Sequence, residues 1–169
     1  ITERVKELEA TGYTFEAADA SFELLVREEV DGARPSYFTV ESWRVITESN
    51  PVQPGGALSE ATVKLLTSQA RQVATGEGNG PVNALDHALR LALLPVYPEL
   101  ERFTLVDYKV RILDASQGTD AVTRVLIETA DAETTWQTVG VGANIVEASW
   151  QALCDGLVYG LFREGVPTR

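Results

Sequence analysis

Only one cysteine and one histidine occur among the 169 residues. Cys154 has no partner for an internal disulfide, and His87 alone cannot supply a His-His metal site. Basic runs are missing too. Lys64, Arg71, Arg90, Lys109, Arg111 and Arg124 stand singly, so no track of cations is available for a phosphate backbone. With 25 acids against 14 bases the net charge is −11, which repels nucleic acid and anionic membrane alike. The longest apolar stretch, around residues 89–96, is too short to span a bilayer, and the opening Ile1-Thr2-Glu3-Arg4-Val5-Lys6 has no signal-peptide character. These absences predict a cytoplasmic protein that engages neither nucleic acid nor membrane. The chain starts without methionine and inside a helical pattern, so we expect it to be cut from something larger.

What is present suits a folded domain. Apolar residues make up 44% and charged residues 23%, enough for a core that needs no disulfide or metal. Residues 2–30 carry apolar side chains at helical spacing: Val5 and Leu8, then Phe15, Ala18, Phe22, Leu25 and Val26 after a break at Thr11-Gly12-Tyr13. We read a helical hairpin over 1–35, ended by Asp31-Gly32-Ala33-Arg34-Pro35, and a second domain over 36–169. In that domain alternation and β-branched or aromatic content predict a strand at 37–47, a loop over 49–57, strands at 61–66 and 70–75, a Gly-rich loop at 76–81 and a helix at 82–94. Pro81 suits the first turn of that helix. The order then recurs, with strands at 103–113, 121–129 and 134–141 and a helix over 144–162, where Asn144 and Glu147 have capping-box spacing.

The recurrence is visible in single residues. A shift of 64 pairs Gly76 with Gly140, Gly78 with Gly142, Val82 with Val146, Ala84 with Ala148, Ala88 with Ala152, Leu89 with Leu153 and Leu93 with Leu157. We infer an α+β fold built from two pseudo-symmetric βββα units. Each unit places a helix N-terminus, with free N–H groups and positive potential, beside its Gly-x-Gly segment.

No catalytic constellation emerges. Gly76-Glu-Gly-Asn-Gly80 lacks the Lys-Ser/Thr of a P-loop, and Glu77 opposes phosphate; glycines that permit a tight turn and close helix packing account for it better. His87, between Asp86 and Arg90, reads as a hydrogen-bonded surface residue, and Cys154 as a small, semi-buried hydrophobe. A catalyst relying on either residue is the rival reading.

Longer motifs carry a resemblance. Gly76-Glu-Gly-Asn-Gly-Pro-Val-Asn-Ala-Leu85, Leu105-Val-Asp-Tyr-Lys-Val-Arg-Ile112, Gly118-Thr-Asp-Ala121, Trp136-Gln-Thr-Val-Gly-Val-Gly142 and Asn144-Ile-Val-Glu-Ala-Ser-Trp150 resemble the C-terminal regulatory (LeuA allosteric, dimerisation) domain of the 2-isopropylmalate synthase and citramalate synthase family. The wording Asp107-Tyr-Lys-Val-Arg-Ile-Leu113 and the stretch 6–25 are more similar to the citramalate branch. The resemblance implies a homodimer that binds an end-product amino acid at its dimer interface, L-isoleucine in the citramalate branch or L-leucine in the other, for feedback inhibition. It also implies a catalytic barrel in the same polypeptide, condensing acetyl-CoA with a 2-oxo acid. The barrel's His-x-His metal motif is absent here, so this chain alone is expected to be no enzyme and to hold no cofactor. A purely structural dimerisation module is the other alternative. By motif, effector contacts fall on Gly80, Val82 and Asn83, on Leu105, Asp107, Tyr108 and Ile112, and on Ala121 and Thr123. Val82, Leu105 and Ile112 would line an apolar slot, N–H groups after Gly80 would hold the carboxylate, and Asp107 would face the ammonium.

Overall fold

The computed structural model describes residues 1–49, 52 and 56–169. The chain forms helices α1 (Thr2–Ala10) and α2 (Asp19–Asp31), strands β1 (Thr39–Ser49), β2 (Ala57–Leu66) and β3 (Arg71–Gly78), and helix α3 (Pro81–Leu93). Strands β4 (Thr104–Ile112), β5 (Thr123–Ala130) and β6 (Thr135–Gly142) follow, then helix α4 (Ile145–Arg163). Two compact units result: Ser36–Glu101 with Pro167–Arg169, and Ile1–Pro35 with Arg102–Val166. Residues 1–35 thus belong with the second βββα repeat, and a contiguous 36–169 does not coincide with either unit. Each unit holds a three-stranded antiparallel sheet, β1-β2-β3 or β4-β5-β6, followed by its helix, which is the α+β arrangement of paired βββα repeats.

In the β1-β2-β3 unit, alternation along β2 buries Ser59, Ala61, Val63 and Leu65 on one face. Helix α3 presents Ala84, Leu85, Ala88, Leu89, Ala92 and Leu93 as the matching stripe, spaced three and four apart. The far end of the unit is closed by Tyr97, whose hydroxyl donates to the Tyr37 carbonyl at 2.9 Å and accepts from the Arg169 N–H at 2.8 Å. Strand β3 runs on through Gly78, so Gly76 and Gly78 are not the loop that their composition predicts. The reason is packing: a Cβ on Gly76 would sit 2.4 Å from the Ala88 backbone nitrogen, and one on Gly78 2.6 Å from that of Ala84. Glycine here lets a helix lie directly on a strand. Of the predicted 49–57 loop, Ser49 and Ala57 are strand residues, and Asn50, Pro51, Gln53, Pro54 and Gly55 lie outside the described residues.

In the β4-β5-β6 unit, Val125, Ile127, Thr129, Trp136 and Thr138 are buried on the face that carries α4. Two buried polar groups are satisfied by that helix's backbone: Trp136 Nε1–H donates to the Gly156 carbonyl at 2.9 Å and Thr138 Oγ1 to that of Ala152 at 2.7 Å. The opposite face of β6, Val139 and Val141, is covered by Ala18 together with Tyr13 and Phe15. This explains why α2 begins at Asp19 and not near Phe15. Tyr13 and Phe15 stack at 6.0 Å between their ring centres and are spent on the sheet before the helix starts, after a turn at Gly12 with φ +113°.

Candidate functional site

The predicted site residues fall in both units. Gly80, Val82 and Asn83 open α3 in the β1-β2-β3 unit; Leu105, Asp107, Tyr108 and Ile112 lie on β4 of the other, with Thr123 at the start of β5 and Ala121 two residues before it.

At the α3 N-terminus Gly80 is the N-cap in extended backbone (φ −169°) and contributes no side-chain acceptor. Pro81 has no N–H. The Ala84 N–H is the first to close the helix, onto the Gly80 carbonyl at 3.0 Å. Among the described residues nothing accepts from the N–H groups of Val82 and Asn83, so two donors of the first turn point outward. A Cβ built on Gly80 meets nothing within 4 Å, which means open space beside those donors. The Asn83 side chain is already engaged: its Oδ1 accepts from the Asn79 N–H at 3.2 Å, and its Nδ2 lies 3.4 Å from His87 Nε2. His87 Nδ1 in turn donates to the Glu77 carbonyl at 2.7 Å. A carbonyl only accepts, so Nδ1 carries the proton, and the neutral ring then accepts from Asn83 at Nε2. The histidine is a strut between β3 and α3.

Strand β4 is an edge strand of its sheet. Tyr108 and Ile112 share the α4 side of that sheet with Val110, and Val110 and Ile112 are 40% and 54% exposed. The Tyr108 hydroxyl is anchored to Ser149 Oγ of α4 at 2.9 Å. Asp107 lies on the other face, paired with Glu128 across the ladder. Lys109 Nζ, 2.8 Å away, holds its carboxyl below the ordinary range, and the carboxylate also accepts from the Tyr108 N–H at 2.9 Å. Asp107 and Tyr108 therefore project to opposite faces. Ala121 is buried, and Thr123 Oγ1 donates to the Gly142 carbonyl at 2.9 Å, tying the start of β5 to the end of β6.

The same shift of 64 that pairs the glycines also pairs Gly80 with Asn144, a relation that residue chemistry alone does not flag. Asn144 Oδ1 accepts from the N–H groups of Val146 at 2.9 Å and Glu147 at 3.3 Å. These are the counterparts of the two outward donors at Val82 and Asn83. One repeat caps its helix with a side chain, and the other has no side-chain cap among the described residues. Of the two residues of the rival catalytic reading, His87 is engaged by Glu77 and Asn83, and burial pushes the Cys154 thiol up, with Asp155 beside it raising it further.

Comparison with known proteins supplies a family. The chain is 60% identical over 166 residues to an (R)-citramalate synthase of Streptomyces coelicolor, a match covering 98% of this chain and 31% of the relative. An (R)-citramalate synthase of Geobacter sulfurreducens is 49% identical over 163 residues, covering 96% of this chain and 30% of the relative. A 2-isopropylmalate synthase of Parafrankia is more distant, 34% identical over 109 residues and covering 64% of this chain. The chain thus spans about three tenths of the length of the citramalate synthases it matches. The LeuA allosteric (dimerisation) domain matches residues 16–161, which takes in both βββα repeats and α2, and the chain belongs to that family.

Proposed function

We propose that the chain is the allosteric regulatory part of a citramalate synthase: it forms a homodimer and binds L-isoleucine, which feeds back on a catalytic barrel of the same polypeptide. That barrel would condense acetyl-CoA with a 2-oxo acid, and residues 1–35 would join it to the effector-binding part. The observation that carries the reading is the uncapped start of α3. Two N–H donors at the positive end of a helix suit an amino-acid carboxylate, and the open space at Gly80 admits it. Each unit contributes its own assignment. Within the β1-β2-β3 unit, Gly80, Val82 and Asn83 take a carboxylate; within the β4-β5-β6 unit, Leu105, Tyr108 and Ile112 with Ala121 and Thr123 supply apolar and hydroxyl surface, and Asp107, expected as the ammonium partner, lies on the opposite face of β4 from Tyr108.

The test is thermal unfolding of the chain with L-isoleucine, L-leucine or L-valine. Ligand at a hundred times its dissociation constant stabilises by about 2.7 kcal/mol, a rise in Tm of roughly 5–10 °C at this size. An isoleucine-led shift supports the reading, and a leucine-led one moves it to the 2-isopropylmalate branch. Gly80→Asn places an internal acceptor where Asn144 has one, so it should keep the fold and abolish the shift. No shift with any of the three leaves a structural dimerisation module.

A further inference from the structure

Arg111 of β4 and Arg124 of β5 stand directly opposite each other in the antiparallel ladder, on the face of the sheet turned away from α4. Residues so placed have Cβ atoms about 5 Å apart, and like charges there are destabilising. Neither arginine has a carboxylate partner among the described residues, although acids outnumber bases by 25 to 14. The acids of this face lie at its other end. Asp107 sits 2.8 Å from Lys109 Nζ and opposite Glu128, which is four residues from Arg124 and so about 13 Å along the strand. Nothing in the ladder requires two cations here. Gly78 and Gly142 are equivalent in the two repeats and pair with Ser59 and Thr123. One residue further along, Glu60 corresponds to Arg124, and its partner Ile46 to Arg111. The first repeat sets an apolar residue against an acid where the second sets guanidinium against guanidinium.

The pair is also preset. Arg124 is half-buried, and its Nε–H donates to the Gly12 carbonyl at 2.6 Å, which orients the guanidinium and leaves both Nη groups without acceptors among the described residues. Arg111 is exposed, and none of its donors has an acceptor there either. Burial holds the Arg124 guanidinium below its ordinary range, and the Arg111 charge lowers it further. We propose that Arg111 and Arg124 together bind a phosphoryl group, on the face of β4 opposite to Tyr108. The charge count selects the class. One guanidinium fork satisfies one carboxylate. Two forks on one centre match a dianion, and a phosphomonoester brings about two negative charges and three acceptor oxygens. Arginine suits it, being always charged and bidentate towards phosphate oxygens. The net charge of −11 repels anions at long range, so occupancy depends on this local pair and on screening by salt. Inorganic phosphate and a phosphomonoester share the chemistry, and the test separates them.

Phosphorus NMR titrations of the chain with inorganic phosphate and with methyl phosphate, at constant ionic strength set by chloride, read the binding directly. The parent should broaden and shift the signal. Arg111→Gln and Arg124→Gln should each raise the apparent dissociation constant about tenfold or more, as loss of charge-assisted hydrogen bonds does. Arg44→Gln removes one charge from the other sheet, where it faces Thr62, and should leave the constant unchanged. Thermal melts give a second sign. Without phosphate, Arg111→Gln relieves the cross-strand repulsion and should melt above the parent; saturating phosphate should reverse that order. Binding of both probes assigns the site to a phosphomonoester, and binding of inorganic phosphate alone to the free anion. No phosphorus response in the parent, or equal responses from the parent and Arg111→Gln, or equal losses in Arg111→Gln and Arg44→Gln, overturns the site. Should Arg124→Gln fail to fold once its Gly12 contact is gone, Arg111→Gln decides. Neither arginine belongs to the isoleucine assignment, so each reading stands or falls without the other.

Discussion

The β1-β2-β3 unit and the β4-β5-β6 unit share a ladder, a helix and a Gly-x-Gly approach, and they differ in what finishes them. The second has its outer sheet face covered by Tyr13, Phe15 and Ala18, its edge sealed through Asp19 and Ser21, and its helix capped by Asn144. Among the described residues the first has none of these. Its outer sheet face exposes Ile46, Leu58, Leu66 and Val73, its edge leaves Val73 and Thr75 unpaired among the described residues, and its helix starts at Gly80 with two outward N–H groups. One repeat is completed by its own chain. The other leaves backbone donors without acceptors among the described residues, the kind of incomplete finish that lowers local stability.

The largest expected effect tests the element the repeats share. A Cβ on Gly140 would lie 1.8 Å from the Ala148 carbonyl oxygen, backbone that cannot yield without moving α4. Overpacking of this kind costs about 3 kcal/mol, so Gly140→Ala should lower Tm by roughly 6–12 °C. Two residues on, a Cβ at Gly142 finds nothing nearer than 3.8 Å. Gly142→Ala should stay within about 0.5 kcal/mol of the parent, as open surface sites do. Equal losses from the two changes in thermal melts would mean that helix approach is not what selects glycine in the repeat.

A smaller effect separates the helix starts. Asn144→Ala removes a cap that serves two N–H groups and should cost about 1 kcal/mol, or roughly 2–4 °C. At the equivalent place Gly80→Ala removes no acceptor, and its melt should be nearly unchanged. A matching loss at Gly80 would show that its backbone, and not the missing side chain, defines that terminus.

Much of this contrast is legible before folding is considered. The 3.6 periodicity of α3 places a helix at 82–94, against Pro81–Leu93 observed, because a long amphipathic stripe and Pro81 agree. Strand β3 is harder: Gly76 and Gly78 read as a loop because glycine punctuates most strands, whereas here its lack of a side chain is what α3 rests on. Phe15 and Ala18 fit a helical stripe but serve the sheet, since periodicity records that a residue is apolar and not which partner covers it. For the candidate site, the motif positions are readable, but the contacts that occupy them are not. Tyr108 meets Ser149 and Asn83 meets His87 through geometry that no local pattern encodes. The exception is the relation of Gly80 to Asn144, which the shift of 64 displays in full once the repeat is taken as an alignment of roles.

A further effect lies in the hairpin turns and is resolved by pH. In the first unit the β2–β3 turn is held by a neutral group: the Ala70 N–H donates to Thr67 Oγ1 at 3.2 Å. The shift of 64 puts Asp131 at that position in the β5–β6 turn, where its carboxylate accepts from the N–H groups of Glu133 at 2.8 Å and Thr134 at 2.9 Å and from Arg163 at 2.5 Å. Burial pushes this carboxyl up, but the Glu133 N–H, the Arg163 guanidinium and the Thr134 N–H outweigh it, and the pKa falls from 3.8 to about 2. A folded-state pKa below the unfolded one means stability present in full above the unfolded value and lost as pH falls through the folded one. Asp131→Asn should therefore melt below the parent by a constant margin above pH 4, and the margin should close between pH 4 and pH 2. Thr67→Val removes an uncharged acceptor, so its margin should not change over the same range. If the Asp131→Asn margin is instead flat to pH 2, the carboxylate's charge contributes nothing, and the two turns are held by equivalent hydrogen bonds despite their different residues.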